Sequence, residues 1–296
     1  MRRLAQLATV AAFAGAVVLA AVHFWPIGQP VKTIALEGDA GRGAYLARIS
    51  GCIGCHTNSK EGGKPLAGGV AFLTEFGTFY SPNLTMDKAE GMGNWSIEDF
   101  DKAVRQGVSP EGQPYYPAFP YAFYANFTDQ DIADLWAAFK TVPAVAQPSK
   151  ENDLSLPFSY RPGLKVWRAA FGSEPEARDP VAGKSDAWNR GRYLVEGATH
   201  CGACHTPRNF AGARILARKF EGATGLPEGG KSPAITAEAL KAEGWTKDDL
   251  AFALKLGMLP SGDVFGSLMG EFVTEATQHM TDEDLAAVAT YLMKEE

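Results

Sequence analysis

Basic charge is in short supply. The 28 lysines and arginines stand against 34 aspartates and glutamates, a formal charge of −6 over 296 residues. This excludes a chain built to neutralise a nucleic-acid backbone and makes any charged partner a basic one. Cysteine is scarcer, at four, and none is spare: all lie in "CIGCH", Cys52 to His56, or "CGACH", Cys201 to His205. Low-complexity sequence is absent beyond the Pro-rich run from Val142 to Gly163, and methionine is absent from Gly93 to Pro157. The length suits two domains of ordinary size with connections.

What is present begins with "MRR" and then Leu4 to Trp25, 22 residues with no charge apart from His23. As a helix this run would measure about 33 Å, roughly a bilayer core. Arg2 and Arg3 would hold the N-terminus in the cytoplasm and send everything after Pro26 across. Residues 1–27 are therefore expected to form a transmembrane anchor, with Phe24 and Trp25 at the interface. The competing reading is a signal peptide cleaved after "VLA", before Ala21.

Close-set cysteine pairs, each followed directly by histidine, match the attachment signal for c-type haem. Two thiols add across the haem vinyl groups, and the next histidine serves as proximal ligand to iron. Cys52, Cys55 and His56 would hold one haem, and Cys201, Cys204 and His205 a second. Zinc is the alternative, but each pattern supplies three ligands and needs a fourth from elsewhere.

The chain also repeats itself. "RGAYLARISGCIGCH" at Arg42 answers "RGRYLVEGATHCGACH" at Arg190, one residue longer, and "SPNLT" at Ser81 answers "SPAIT" at Ser232. "WSIEDFDKAVRQGV" at Trp95 answers "WTKDDLAFALKLGM" at Trp245, and "FTDQDIADLWAAF" at Phe127 answers "MTDEDLAAVATYL" at Met280. Offsets of 148 to 153 residues mark a domain duplication. Ser96 with Asp99, Thr246 with Asp249, Thr128 with Asp131 and Thr281 with Asp284 predict capped helix starts, and Gly107 and Gly257 predict ends. Ile132, Leu135, Trp136 and Phe139 in one copy, and Leu285, Val288, Ala289 and Leu292 in the other, recur at helical spacing. The expected fold is mainly α, two tandem haem domains at 36–142 and 185–296, joined by a connector at 143–184 and preceded by the transmembrane helix. Trp95 and Trp245 read equally as packing residues or as donors to a haem propionate. Trp167 and Phe171 read as packing.

A haem that only shuttles electrons needs a second axial ligand, commonly methionine. Met269, 64 residues after His205, is assigned that role, with core packing as the alternative. In the first copy the matching place holds Phe119, which cannot ligate iron. The remaining candidates are Met92, in a three-residue insertion "MGN", the weaker Met86, and the phenols Tyr115, Tyr116 and Tyr121; for Met92 simple packing is the preferred reading. His200 and His279 read as structural or exposed.

The phrases "GCIGCHT", "GGKPLAGG", "FGTFYSPNLT", "YPAFPY" and "TDQDIADLWAAF" in the first copy, with "HCGACHTPRN" and "LMGEFV" in the second, resemble the cytochrome c subunits of bacterial membrane-bound dehydrogenases. The resemblance implies two cytochrome c folds with covalent haem c. It implies an electron carrier on the periplasmic side of the cytoplasmic membrane, not itself an enzyme. The donor would be a periplasmic alcohol, sugar or aldehyde dehydrogenase subunit, and the acceptor a cytochrome, an oxidase or a quinone-linked complex. Arg208, in "HTPRN", would pair with a propionate or stay solvated. Many family members carry three haems, and a methionine is expected where Phe119 stands. The alternative is a haem enzyme or gas-binding protein with an open sixth position at the first haem.

Overall fold

The computed structural model describes residues 2–172, 175 and 179–295. Helix α1 (Arg2–Phe24) leads through an extended run into the first of two like arrangements. There α2 (Ala40–Ile49) runs into the short α3 (Cys52–His56), followed by α4 (Ile97–Gln106), the single turn α5 (Tyr121–Tyr124) and α6 (Asp129–Phe139). Helix α7 (Gly163–Phe171) lies in the connector. The second arrangement comprises α8 (Asp186–Tyr193), α9 (Gly202–His205), α10 (Ala237–Ala242), α11 (Lys247–Leu256), α12 (Ser267–Glu275) and α13 (Asp282–Leu292).

Two expectations are corrected. Among the described residues no helix is long and apolar enough to cross a membrane, which overturns the transmembrane helix read at residues 1–27. The mainly α reading also fails, since only about half of the residues are helical. The Gly-rich loop after the first cysteine pair forms a hairpin of β1 (Ala71–Thr74) and β2 (Gly77–Tyr80), to which the connector adds β3 (Asp153–Leu154). Aromatic and β-branched residues around a tight turn favour strands over coil. Gly77 is required there: at φ 123° it lies so close to β3 that a Cβ would sit 2.3 Å from the Asp153 carbonyl oxygen. In the second unit β4 (Ala223–Leu226) pairs with β5 (Gly230–Ser232).

Local chemistry sets the helix ends. Full capping boxes form at Ser96/Asp99, Thr128/Asp131 and Thr246/Asp249, and Gly107 and Gly257 close α4 and α11 in the left-handed region. Thr281 caps α13 through the Asp284 amide, while the Asp284 carboxylate turns to Arg190. In each unit the first helix crosses the last at a glycine. A Cβ on Gly43 would meet the Asp134 carbonyl oxygen at 1.9 Å, and one on Gly191 the Ala287 oxygen at 1.9 Å. These crossings bury Leu46, Ile49, Ile132, Leu135 and Phe139 in one unit and Leu194, Leu285, Val288 and Leu292 in the other. Each such side chain contributes about 2 kcal/mol. Trp136 is half-buried and packs on Phe100, ring centroids 5.2 Å apart.

The two units meet with approximate two-fold reciprocity. Tyr45 of α2 donates to Asp284 of α13 at 2.6 Å, and the matching Tyr193 of α8 donates to Asp131 of α6 at 2.8 Å. Each unit thus offers its tyrosine to the carboxylate at the third position of the other's last helix, the pattern of a self-complementary interface. The one-residue excess before the second cysteine pair is absorbed by a π-helical turn at Leu194–Ala198, the usual way a helix accepts an inserted residue. Within it Glu196 is buried against Lys219 at 2.8 Å and the Tyr291 hydroxyl at 2.7 Å, and its carbonyl accepts from Asn126 of the first unit at 3.0 Å.

Candidate haem sites

Both cysteine pairs lie on short helices, so thiols three residues apart project from one side and the histidine follows within the same turn. All four cysteines are free. His56 Nδ1 lies 2.8 Å from the Pro82 carbonyl oxygen, and His205 Nδ1 lies 2.8 Å from that of Pro233. A carbonyl only accepts, so each imidazole carries its proton on Nδ1 and presents a bare Nε2. Burial lowers the His56 pKa to about 4 and that of His205 in the same direction, keeping both neutral at pH 7. Burial also raises the thiols of the half-buried Cys52, to about 12, and Cys201, to about 11. Pro82 and Pro233 occupy the same place in "SPNLT" and "SPAIT", so the orienting bond is duplicated with the motif.

Met269 stands in the first turn of α12, half-buried against the core, where a loop was expected. The ligand loops of the two units share their backbone bonding. Ser109 N–H donates to Gln113 and Tyr115 N–H to Gly107; Leu259 N–H donates to Asp263 and Phe265 N–H to Gly257. This register sets Phe119 opposite Met269. Phe119 is ringed by Tyr115, Tyr121 and Tyr124 at centroid distances of 5.9, 6.4 and 5.6 Å. Burial raises all three phenols, Tyr115 to about 12, so they stand as neutral hydroxyls at pH 7. Met92 is 3% exposed within the core, its amide held by the Thr85 carbonyl at 2.8 Å. Met86 is half-buried.

Arg208 donates to the carbonyls of Ala203 at 2.9 Å and Gly212 at 2.8 Å, fastening its loop to the haem-motif helix. The Trp245 indole faces Glu243 at 3.3 Å, Trp95 is half-buried, and Trp167 donates to the Ala211 carbonyl at 2.8 Å. His279 is exposed.

His200, which the sequence marks only as structural or exposed, is a packed structural residue. It sits where Gly51 sits in the first unit, directly before the first cysteine, and takes a positive φ of 38° against 74° for Gly51. Its ring is wedged between Phe123 and Tyr124 of the first unit and Phe272 of the second, at centroid distances of 6.1, 5.9 and 5.6 Å. Burial lowers its pKa to about 4. It thereby forms part of the wall between the two cysteine motifs. The only signal in the sequence was a non-glycine residue at a position where its twin is glycine.

These donors fit haem. Each unit offers two free thiols one turn apart and a neutral histidine with a fixed tautomer and an open Nε2. A bare metal fits less well: among the described residues no three His, Cys, Asp or Glu side chains gather as a metal-binding group. Paired thiols and an oriented histidine on a short helix, placed directly after a helix that crosses the C-terminal helix of its unit, define a c-type cytochrome.

Comparison with known proteins agrees. The cytochrome c family model matches residues 39–139. The chain is 38% identical over 283 residues to a dihaem c-type cytochrome of Cereibacter sphaeroides, covering 93% of both. It is 42% identical over 260 residues to the gluconate 2-dehydrogenase cytochrome c subunit of Pantoea cypripedii, covering 85% of this chain and 58% of that one. It is 40% identical to the alcohol dehydrogenase (quinone) cytochrome c subunit of Komagataeibacter europaeus, covering 85% and 54%. The chain therefore belongs to the cytochrome c family, alongside dihaem cytochromes c and the cytochrome c subunits of dehydrogenases. It spans little more than half the length of those dehydrogenase subunits.

Proposed function

We propose that this protein carries electrons, through two covalently held haem c groups, from a dehydrogenase subunit to a cytochrome, oxidase or quinone-linked acceptor. The observation that carries this reading is the duplicated bond from histidine Nδ1 to a proline carbonyl, His56 to Pro82 and His205 to Pro233. It leaves one imidazole nitrogen in each unit free to bind a metal and removes any acid–base use for the other. When bound, haem iron supplies reversible one-electron chemistry. The chain's part is to fix it by Cys52, Cys55, Cys201 and Cys204, to orient His56 and His205, and to offer Met269 as the second ligand in the second unit. The names of the dehydrogenase relatives support the donor class. Arg2 and Arg3 ahead of an apolar helix support a periplasmic location, as in an exported chain. A pyridine haemochrome assay should give two haems per chain, falling to one when Cys52 and Cys55 are both changed to alanine. A single haem in the unaltered protein would refute the reading.

A second reading has one observation in its favour, Phe119 in the place of Met269. If the first iron is open, it binds small ligands and the protein does chemistry of its own. Electron paramagnetic resonance of the oxidised protein separates the two. Two low-spin signals, one lost in Met92→Ala, would assign ligation to Met92 and leave a carrier. One high-spin and one low-spin signal, unmoved by that change, would favour the open site.

A further inference from the structure

The duplication allows one face to be compared in two copies. In the first unit the end of α4 and the hairpin after it are covered by other parts of the same chain. Gln29 N–H donates to the Gln106 side chain at 2.7 Å, and Gly28 is packed near Lys102 and Val108. From the connector, Arg161 donates to the Pro114 carbonyl at 2.7 Å, and Arg168 of α7 donates to the carbonyls of Gly107, at 2.9 Å, and Gln106. Val108 is consequently 0% exposed.

Among the described residues nothing covers the equivalent face of the second unit. Phe252 stands for Lys102, Leu256 for Gln106, Met258 for Val108 and Val264 for Pro114, at exposures of 48%, 60%, 42% and 62%. The hairpin is the same: the bridge between Val108 and Pro114 recurs between Met258 and Val264. No side chain among the described residues donates to the carbonyls of Leu256, Gly257 or Val264, which match the three that the arginines satisfy in the first unit. Two of the uncovered positions exchange a polar residue for a large apolar one, against the trend for solvated surface. Residues 185–296 also hold sixteen acidic against eleven basic side chains, which favours a basic occupant.

We propose that the face formed by Phe252, Leu256, Met258 and Val264 docks a separate protein through a short helix carrying an arginine among apolar residues. The arginine donates to the carbonyls at the end of α11, as Arg168 does to Gln106 and Gly107, and the apolar side chains cover Leu256 and Met258. The first unit supplies its own cover in α7, and the second takes it from a partner.

The probe is a fluorescent peptide with the sequence of residues 158–172, which has the required chemistry. It is titrated with the full haem-loaded chain and followed by anisotropy. The expected result is saturable binding, weakened about tenfold when both peptide arginines are alanine and about tenfold by Leu256→Lys or Val264→Lys in the protein. Both protein positions are exposed, so the variants should keep the visible spectrum of the unaltered protein. Absence of saturable binding, or binding that neither surface variant moves, would overturn the proposal. So would a dimer in sedimentation velocity that Leu256→Lys dissolves, because the face would then belong to a second copy of this chain.

Discussion

At His200 the usual order of alanine and glycine should be inverted. In most helical or extended positions alanine is the more stabilising of the two, because glycine loses more backbone freedom on folding, about 0.5–1 kcal/mol. His200 holds φ at 38°, where a Cβ costs roughly 1–2 kcal/mol. His200→Ala keeps that cost and removes the ring; His200→Gly removes both. The ring makes three edge-on contacts, with Phe123, Tyr124 and Phe272, and truncating an aromatic-sized group at such a place costs about 3 kcal/mol. Alanine should therefore destabilise by about 3 kcal/mol, and glycine by about 1 kcal/mol less than alanine, since relief of strain exceeds the extra chain entropy. Guanidinium unfolding of the haem-loaded protein, followed in the far ultraviolet, measures both. At Gly51, φ 74°, the same reasoning makes Gly51→Ala unfavourable by about 1 kcal/mol, although its new Cβ would meet His200 Cε1 at an ordinary 3.6 Å. A His200→Ala protein as stable as His200→Gly would refute the claim that backbone strain is held there.

Other outcomes follow from the packing and the charges. Gly43→Ala or Gly191→Ala places a Cβ 1.9 Å from a carbonyl oxygen and should cost more than about 3 kcal/mol, visible as loss of soluble haem-loaded protein. Tyr45→Phe and Tyr193→Phe each remove one reciprocal hydrogen bond between the units and should cost about 1 kcal/mol apiece, read from paired denaturation curves. Burial raises the Asp284 pKa, but hydrogen bonds from Arg190 and Tyr45 outweigh it and hold the group below its ordinary 3.8. Its contribution is present above the unfolded value and is lost as pH falls through the folded one, so Asp284→Asn should flatten stability against pH below about pH 4, measured by acid titration of the circular dichroism signal.

The family was legible because the attachment signal for c-type haem is a local spacing of cysteine and histidine, and helix starts because a cap is a bond over three residues. The duplication was legible too, and with it the placing of Phe119 opposite Met269. The hairpin of β1 and β2 was not, since a Gly-rich segment with a few aromatic residues carries no helical period and reads as loop. The apolar stretch near the N-terminus has the length and lack of charge of a membrane span, yet among the described residues no helix is long and apolar enough to cross a membrane.

Only the tertiary structure decided how the copies relate. Nothing in the sequence joins Tyr45 to Asp284 or Tyr193 to Asp131, partners separated by 239 and 62 residues, because an interface depends on which surfaces the two folds turn toward each other. The same holds for His200, whose role lies in three rings from distant segments, and for the face at Leu256, bare only by comparison with its covered twin. Sequence by itself determined the cofactor chemistry and the repeat, which rest on short spacings. Which wall separates the two sites, and which face awaits a partner, were set by contacts between residues far apart in the chain.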